Sequence, residues 1–195
     1  MKKERFVGLI IMTKLVDSTG SSKLAVILQR IGRWDFQNKA RLDYPGCCKI
    51  SAHGKLKEGE DFLQGLLRKS QDEFGNDFAK IIMGDNSSLK EIVYSDTNKT
   101  EIRIYSVLVS EDDLKTIRLN PCTGGLDPVI KEEFEGNKGP VKIYSEMNAF
   151  GVHPAIIALF EDEITAVRKA FEAYEGPRET PFPSILGVSR VLLLL

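Results

Sequence analysis

The segment Gly54–Gly75 constrains the fold of this chain more than any other part, because its glycines and charged residues follow a fixed spacing. Written as a pattern, the segment is G-x5-E-x7-R-x3-D-E-x-G. Its charged positions are Glu60, Arg68, Asp72 and Glu73. Apolar residues recur inside it with the period of an α-helix, so we predict a helix from Glu60 to Phe74 that ends at Gly75. The predicted apolar face consists of Phe62, Leu63, Leu66, Leu67 and Phe74.

This spacing resembles the signature of the Nudix family, G-x5-E-x7-R-E-U-x-E-E-x-G-U, in which U is a bulky aliphatic residue. Lys69 and Asp72 stand at glutamate positions of that signature, and Ser70 and Asn76 stand at aliphatic positions. The resemblance implies an α/β fold, a Nudix-like α/β/α sandwich with a mixed β-sheet, and one domain over the whole chain. Upstream, Tyr44-Pro45-Gly46 is similar to a lead-in that is common in the family.

The resemblance also implies a metal centre on the predicted helix. Gly54 matches the glycine whose backbone contacts the metal, and a glycine there lets the backbone turn tightly. Asp72 and Glu73 match two acidic ligands, while Glu60 and Arg68 match the pair that braces the loop against the helix; these four are the expected catalytic residues. The implied cofactor is Mg²⁺ or Mn²⁺, because hard divalent cations bind carboxylate oxygens together with substrate phosphates. The implied reaction is hydrolysis of a diphosphate bond in a nucleoside diphosphate linked to another moiety.

Lys69 changes the electrostatics of the predicted helix face. Residues 69, 72 and 73 lie at i, i+3 and i+4 and share that face, so we expect the Lys69 ammonium to pair with the Glu73 carboxylate. A cation at this point lowers the expected affinity for a metal ion, and hydrolysis would then need a carboxylate from elsewhere. The candidates follow later in the chain and are Glu132, Glu133, Glu135 and Glu146.

Two functions from different classes therefore stay open. The first is the metal-dependent hydrolase, weakened by Lys69. The second is a non-catalytic Nudix-like module that binds a nucleotide or serves as an interaction surface, with Lys69 taking over the charge of the metal ion. A downstream carboxylate within reach of Glu73 would favour the hydrolase, and its absence would favour the module.

The cysteine pair Cys47-Cys48 raises a third alternative. Isopentenyl-diphosphate isomerases have a similar fold, a similar cysteine pair and a basic residue after the signature arginine, as in Arg68-Lys69. Those enzymes bind their metal through three histidines, whereas this chain contains only His53 and His153, which disfavours that activity. We therefore interpret the two cysteines as small buried strand residues, and His153 as part of a helix start.

The segment Arg30–Arg41 mixes cations with aromatic side chains. Aromatic rings stack on bases and arginines bind phosphate in a bidentate manner, so Arg33, Trp34 and Arg41 are candidate substrate-binding residues. The alternative is an ordinary surface loop in which Trp34 anchors the core.

Composition limits the partners. A formal net charge of -1 gives no global field toward nucleic acid or an anionic membrane, and no apolar stretch is long enough to span a bilayer. Three cysteines do not make a disulfide framework and, with no signal-peptide pattern at the start, they favour a reducing, cytoplasmic compartment. The expected partner is a small nucleotide-type molecule, and a homodimer through an apolar strand or the run Val191–Leu195 stays open.

Hydrophobic patterns predict the remaining elements. The predicted strands are Arg5–Leu15 and Lys23–Arg30 as a hairpin, Cys48–Ala52, Ala79–Met83, Lys90–Tyr94 and Glu101–Val109 as a second hairpin, and Val141–Tyr144. The other predicted features are a loop at Ile31–Pro45, a capped short helix after Ser110, a long loop at Asn120–Pro140 and a helix at Pro154–Tyr174.

Overall fold

The computed structural model describes residues 3–16, 19–36, 38–42, 48–84, 87–136 and 161–175. The strands in these ranges are β1 (Glu4–Val16), β2 (Ser22–Ile31), β3 (Trp34–Asp35), β4 (Ala40–Arg41), β5 (Cys48–Lys49), β6 (Ala52–Lys55), β7 (Lys90–Asp96), β8 (Thr100–Val109) and β9 (Thr123–Ile130). The helices are α1 (Phe62–Phe74), α2 (Asn76–Met83), α3 (Glu111–Leu114), α4 (Lys131–Gly136) and α5 (Glu161–Glu175). No helix in this part of the chain is both long and apolar enough to cross a membrane.

A mixed β-sheet forms the centre of the fold. Its main order is β5-β2-β1-β8-β7, with β6 also paired to β1 and β9 to β2. β1 runs parallel to β8 and antiparallel to β2 and β6. It is buried from Val7 through Thr13, as expected for an apolar run that is covered on both faces. Both predicted hairpins, β1–β2 and β7–β8, are confirmed.

Helices cover both faces of the sheet, and the alternation of side chains along β1 separates two cores. On one face, Val7, Leu9 and Ile11 pack with buried residues of α1 and α2. On the other face, Ile10 and Met12 pack with buried residues of α4 and α5. The described residues therefore form an α/β/α sandwich with a mixed sheet, which confirms the predicted fold class.

The helix predicted at Glu60–Phe74 is present as α1. Asp61 Oδ1 accepts a hydrogen bond from the Gln64 N–H over 2.8 Å, and the Gln64 side chain accepts one from the Asp61 N–H over 3.0 Å. This capping box fixes the start of the helix, and Gly75, with φ of 87°, ends it. One prediction about its apolar face is wrong, because Leu63 lies on the outer side of α1 and is 47% exposed.

The predicted strand Ala79–Met83 is wrong. The chain forms α2 there, a second helix that starts directly after Gly75. Its apolar side consists of the buried residues Phe78, Ala79 and Ile82. A short apolar run fits a strand or a buried helix equally well by its pattern, and packing against α1 and the sheet decides for the helix.

The predicted loop Asn120–Pro140 is also wrong in its described part. Residues 123–130 form β9, which pairs antiparallel with β2, and residues 131–136 form α4. Two glycines and a proline in β9 conceal the strand in the sequence, because these residues have low β propensity. Pairing with the buried strand β2 outweighs that propensity.

The predicted loop Ile31–Pro45 contains a small hairpin formed by β3 and β4. The predicted strand Cys48–Ala52 is divided into β5 and β6, and the second of these includes His53 and Gly54. The capping box at Ser110 is confirmed. The predicted helix at Pro154–Tyr174 is confirmed as α5 over its described part. Some predictions concern residues outside the described ranges: Tyr44-Pro45-Gly46, Cys47, strand Val141–Tyr144, Glu146, His153 and the run Val191–Leu195.

Candidate functional site

Glu60 and Arg68 join the loop before α1 to the helix. Arg68 Nε donates to Glu60 Oε1 over 2.6 Å and Arg68 Nη2 donates to Glu60 Oε2 over 2.8 Å, which makes a bidentate pair. Arg68 Nη2 also donates to the Lys55 carbonyl oxygen over 3.3 Å, and Glu60 accepts the Lys57 backbone N–H over 2.8 Å. The hydrogen bond from Arg68 is the main cause that lowers the pKa of Glu60 to about 2. The ionised pair thus holds residues 55–60 against α1.

Gly54 lies in strand β6, where it pairs with Val7, and not in the tight turn that the sequence suggested. The tight turn comes later, at Gly59, with φ of 83°. The missing side chain at position 54 makes room for Lys69. A Cβ atom there would lie 2.7 Å from Lys69 Nζ and closer still to its Cε. The end of the lysine side chain therefore occupies the space beside the Gly54 backbone.

Glu73 contacts polar residues on the sheet. Gln29 Nε2 donates to Glu73 Oε2 over 2.7 Å and also to the Thr123 hydroxyl. Lys49 Nζ lies 3.9 Å from Glu73 Oε1. The expected ion pair between Lys69 and Glu73 is wrong: within the described ranges the cation beside Glu73 is Lys49, because the Lys69 side chain extends to Gly54 instead.

Asp72 has a different partner. Its carboxylate is 56% exposed and lies 3.6 Å from Arg68 Nη1. Adjacent residues of a helix point about 100° apart, which lets Asp72 face Arg68 while Glu73 faces the sheet. The two carboxylates are thus bound to separate cations on separate sides of the helix.

The segment after α3 fixes the end of α1. The Arg118 N–H donates to the Phe74 carbonyl oxygen over 2.8 Å, and the Asn120 N–H donates to the Glu73 carbonyl oxygen over 3.1 Å. Asn120 Nδ2 donates to the Asp72 carbonyl oxygen over 3.2 Å. These bonds satisfy carbonyl groups that a helix end leaves without partners, and they fix the backbone from which Glu73 projects.

A pocket of about 460 Å³ opens beside Glu73, a volume typical of small-molecule sites. Its wall includes Arg30, Lys49, Glu73, Asn120, Cys122 and Thr123. Arg30 is neutralised by Asp127, with 2.8 Å between Arg30 Nε and Asp127 Oδ2. The Lys49 ammonium is only loosely paired with Glu73, over 3.9 Å, so it can also contact a ligand on this wall.

The β3–β4 hairpin rises from the rim of the same pocket, because Ile31 and Leu42 at its two ends both line the pocket. Arg33 and Arg41 are exposed, and neither guanidinium makes an ion pair within the described residues. Trp34 is 42% exposed and therefore does not anchor the core. The three candidate substrate-binding residues thus lie together on or next to this hairpin, but they are not among the described residues that line the pocket, and their role stays a prediction.

The downstream glutamates of the described residues do not approach Glu73. Ile130, which precedes α4, pairs with Ala25, whereas Leu126 pairs with Gln29, the residue that binds Glu73. Four residues of strand separate these pairs by about 13 Å. α4 packs through Phe134 on the face of the sheet opposite to α1, where Glu133 accepts from the Ile130 N–H and Glu135 lies near Lys131.

The described residues do not fit a resident divalent cation. They contain no group of three His, Cys, Asp or Glu side chains that could hold a metal ion. Asp72 and Glu73 are each paired with a cation, and the Lys69 ammonium fills the space beside Gly54. Mg²⁺ requires anionic oxygens around it, and this arrangement supplies ammonium and guanidinium groups instead. Two other potential ligand residues pack against the fold: His53 stacks on Phe6, with 6.0 Å between ring centroids, and Cys48 is buried, as predicted.

The sequence did not reveal Gln29, Lys49 or Asn120 as site residues. Gln29 gave the clearest signal, since it is the polar residue that follows the apolar run Leu24–Leu28 of β2 and it is fully buried. Its Oε1 atom has no hydrogen-bond partner in the described structure. Asn120 gave no signal, because it acts through backbone groups that only the folded chain brings close.

Solved structures with the same architecture identify the fold. A mutT/nudix family protein from Listeria innocua matches with a TM-score of 0.55 and 13% identity, over 89% of this chain and 94% of that one. A MutT/nudix family protein from Enterococcus faecalis matches with a TM-score of 0.53 and 10% identity, over 88% of this chain. The fold is the Nudix fold. This chain spans 62% of the Enterococcus faecalis protein.

No protein-family model and no curated protein matches this sequence. At identities of 10% and 13% the structural matches establish the Nudix fold and nothing about activity.

Proposed function

We propose that this Nudix-fold chain is a binding module for a small nucleotide-type ligand that carries a diphosphate. One observation carries the proposal: the β3–β4 hairpin bears an exposed indole and two exposed arginines, and its two ends, Ile31 and Leu42, line a pocket whose wall holds Lys49. An indole stacks on a flat base, and arginine and lysine bind phosphate oxygens. The described residues provide no group of three side chains that could hold a metal ion, which supports binding over hydrolysis.

Calorimetry tests this proposal directly. The panel consists of a nucleoside monophosphate, diphosphate and triphosphate, a nucleoside diphosphate linked to a sugar, and inorganic diphosphate, each with a metal chelator present. We expect a nucleoside diphosphate compound to bind more tightly than inorganic diphosphate, because only the nucleoside adds stacking on Trp34. Base stacking contributes about 1–3 kcal/mol, so Trp34→Ala should weaken binding about 5- to 150-fold.

Tyr94→Ala is the matched control, because Tyr94 is an aromatic residue of similar exposure (53%) on β7, at the opposite edge of the sheet. It should leave the affinity unchanged. The proposal is wrong if no nucleoside compound binds better than inorganic diphosphate, or if both alanine variants weaken binding equally.

Hydrolysis is the second candidate, and the geometry around Glu73 is what favours it. This carboxylate lines the pocket and is positioned by Gln29, while the Glu60–Arg68 pair has the bidentate contact that the signature suggests. Chromatography of the same panel after incubation with Mg²⁺ or Mn²⁺ would detect cleavage of the diphosphate bond. Cleavage by the natural chain that is lost in Glu73→Gln would establish a hydrolase. If the ligands stay intact, the binding module remains the proposed function.

A further inference from the structure

We propose that the Lys69 ammonium replaces the divalent cation of this fold, so that the site binds a phosphate-bearing ligand without metal and excludes metal when empty. The part that concerns the ligand rests on the proposed function. The part that concerns metal exclusion does not, because it is a property of the free protein.

The Lys69 side chain occupies the space beside Gly54. Lys69 projects from the second turn of α1 across to β6, and its last carbon and its ammonium pack on the bare Cα of Gly54. A side chain at position 54 would displace them, so the glycine and the lysine fit each other. An ion placed against the Gly54 backbone would have to displace the same ammonium.

Within the described residues Lys69 makes no ion pair and no hydrogen bond, although its side chain is half-buried. A partly desolvated ammonium without an acceptor is unfavourable, and an anionic ligand would relieve that cost. The two carboxylates that follow Lys69 on α1 have other cations beside them, Arg68 beside Asp72 and Lys49 beside Glu73.

Three cations and three carboxylates lie on and next to α1. Lys49, Arg68 and Lys69 carry three positive charges, which equal the three negative charges of Glu60, Asp72 and Glu73. A neutral set attracts no dication. Lys69→Glu would change the balance by two charges and leave four carboxylates against two cations, a set of the kind that divalent cations prefer.

Metal and ligand binding are measured separately on the natural chain, Lys69→Met, Lys69→Glu and the control Lys80→Glu. Lys80 is 78% exposed on α2, so its replacement alters the total charge equally without touching the site. Thermal unfolding first confirms that each variant is folded. Free Mn²⁺ is then followed by electron paramagnetic resonance without ligand, and the nucleoside diphosphate compounds are titrated with and without a chelator.

We expect Mn²⁺ to bind Lys69→Glu at least 10-fold more tightly than the natural chain or Lys80→Glu. We also expect Lys69→Met to weaken chelator-resistant ligand binding at least 10-fold. The inference is overturned if the natural chain binds Mn²⁺ as tightly as Lys69→Glu, or if its ligand binding requires metal. If no ligand binds any variant, the proposed function fails, while the Mn²⁺ comparison still decides whether Lys69 excludes the metal.

Discussion

Replacing Glu60 by glutamine tests whether the Glu60–Arg68 pair holds the loop on α1. Lowering the pKa of Glu60 from 4.5 to about 2 corresponds to at most about 3 kcal/mol. The side chains of Arg68 and Glu60 are 20% and 17% exposed, so solvent screens part of this interaction. We therefore expect Glu60→Gln to lower the free energy of unfolding by about 1.5–2 kcal/mol at pH 7.

The effect must depend on pH in a defined direction. The pKa of Glu60 is lower in the folded than in the unfolded chain, so the carboxylate contributes its full stabilisation above about pH 4.5. This contribution is lost as the pH falls from about 4.5 toward 2. Glutamine does not titrate, so the difference between the natural chain and the variant should shrink in that window.

Urea unfolding followed by far-ultraviolet circular dichroism at pH 7, 5 and 3.5 measures this difference. Glu4→Gln is the matched control, because Glu4 pairs with Lys55 at the surface and its side chain is 51% exposed. We expect that control to cost less than about 0.5 kcal/mol at every pH. The reasoning is refuted if Glu60→Gln costs no more than Glu4→Gln at pH 7, or if its cost is the same at pH 7 and pH 3.5.

Three further variants test the packing around the site, each by urea unfolding. Ser70→Ala should leave the free energy of unfolding unchanged or raise it by up to about 1 kcal/mol, because the buried Ser70 hydroxyl has no hydrogen-bond partner in the described structure. A clear decrease in the free energy of unfolding would mean that the hydroxyl has a partner. Phe78→Ala should cost about 3–5 kcal/mol, since this ring of α2 is fully buried, and a cost below 1 would contradict that packing. Gly59→Ala should cost about 1–2 kcal/mol because its φ is 83°, whereas no cost would mean that the turn is not left-handed.

Predictions from the sequence were right where neighbouring residues decide the structure. The stop of α1 follows from Gly75, and both hairpins follow from alternating runs with a turn between them. The contact between Glu60 and Arg68, which the resemblance to the signature implied, is present in the structure.

Predictions were wrong where a distant element decides. β9 contains glycines and a proline and forms a strand only because it pairs with β2. The two strands are far apart in the sequence: Gln29 of β2 and Thr123 of β9, which share a hydrogen bond, are 94 positions apart. α2 is a helix because its apolar side fits against α1 and the sheet, whereas the same short run would also suit a strand.

The signature spacing, with Lys69 at a glutamate position, and the apolar first strand are visible in the amino-acid sequence. Together they were enough to predict the α/β/α sandwich. Only the tertiary structure decided which groups meet the charges on α1. Lys49 and Gln29 reach Glu73 from the sheet, and Gly54 receives the side chain of Lys69. The physical reason is that helix periodicity fixes the direction of a side chain locally, while the partner in that direction depends on strand pairing between residues far apart in the chain.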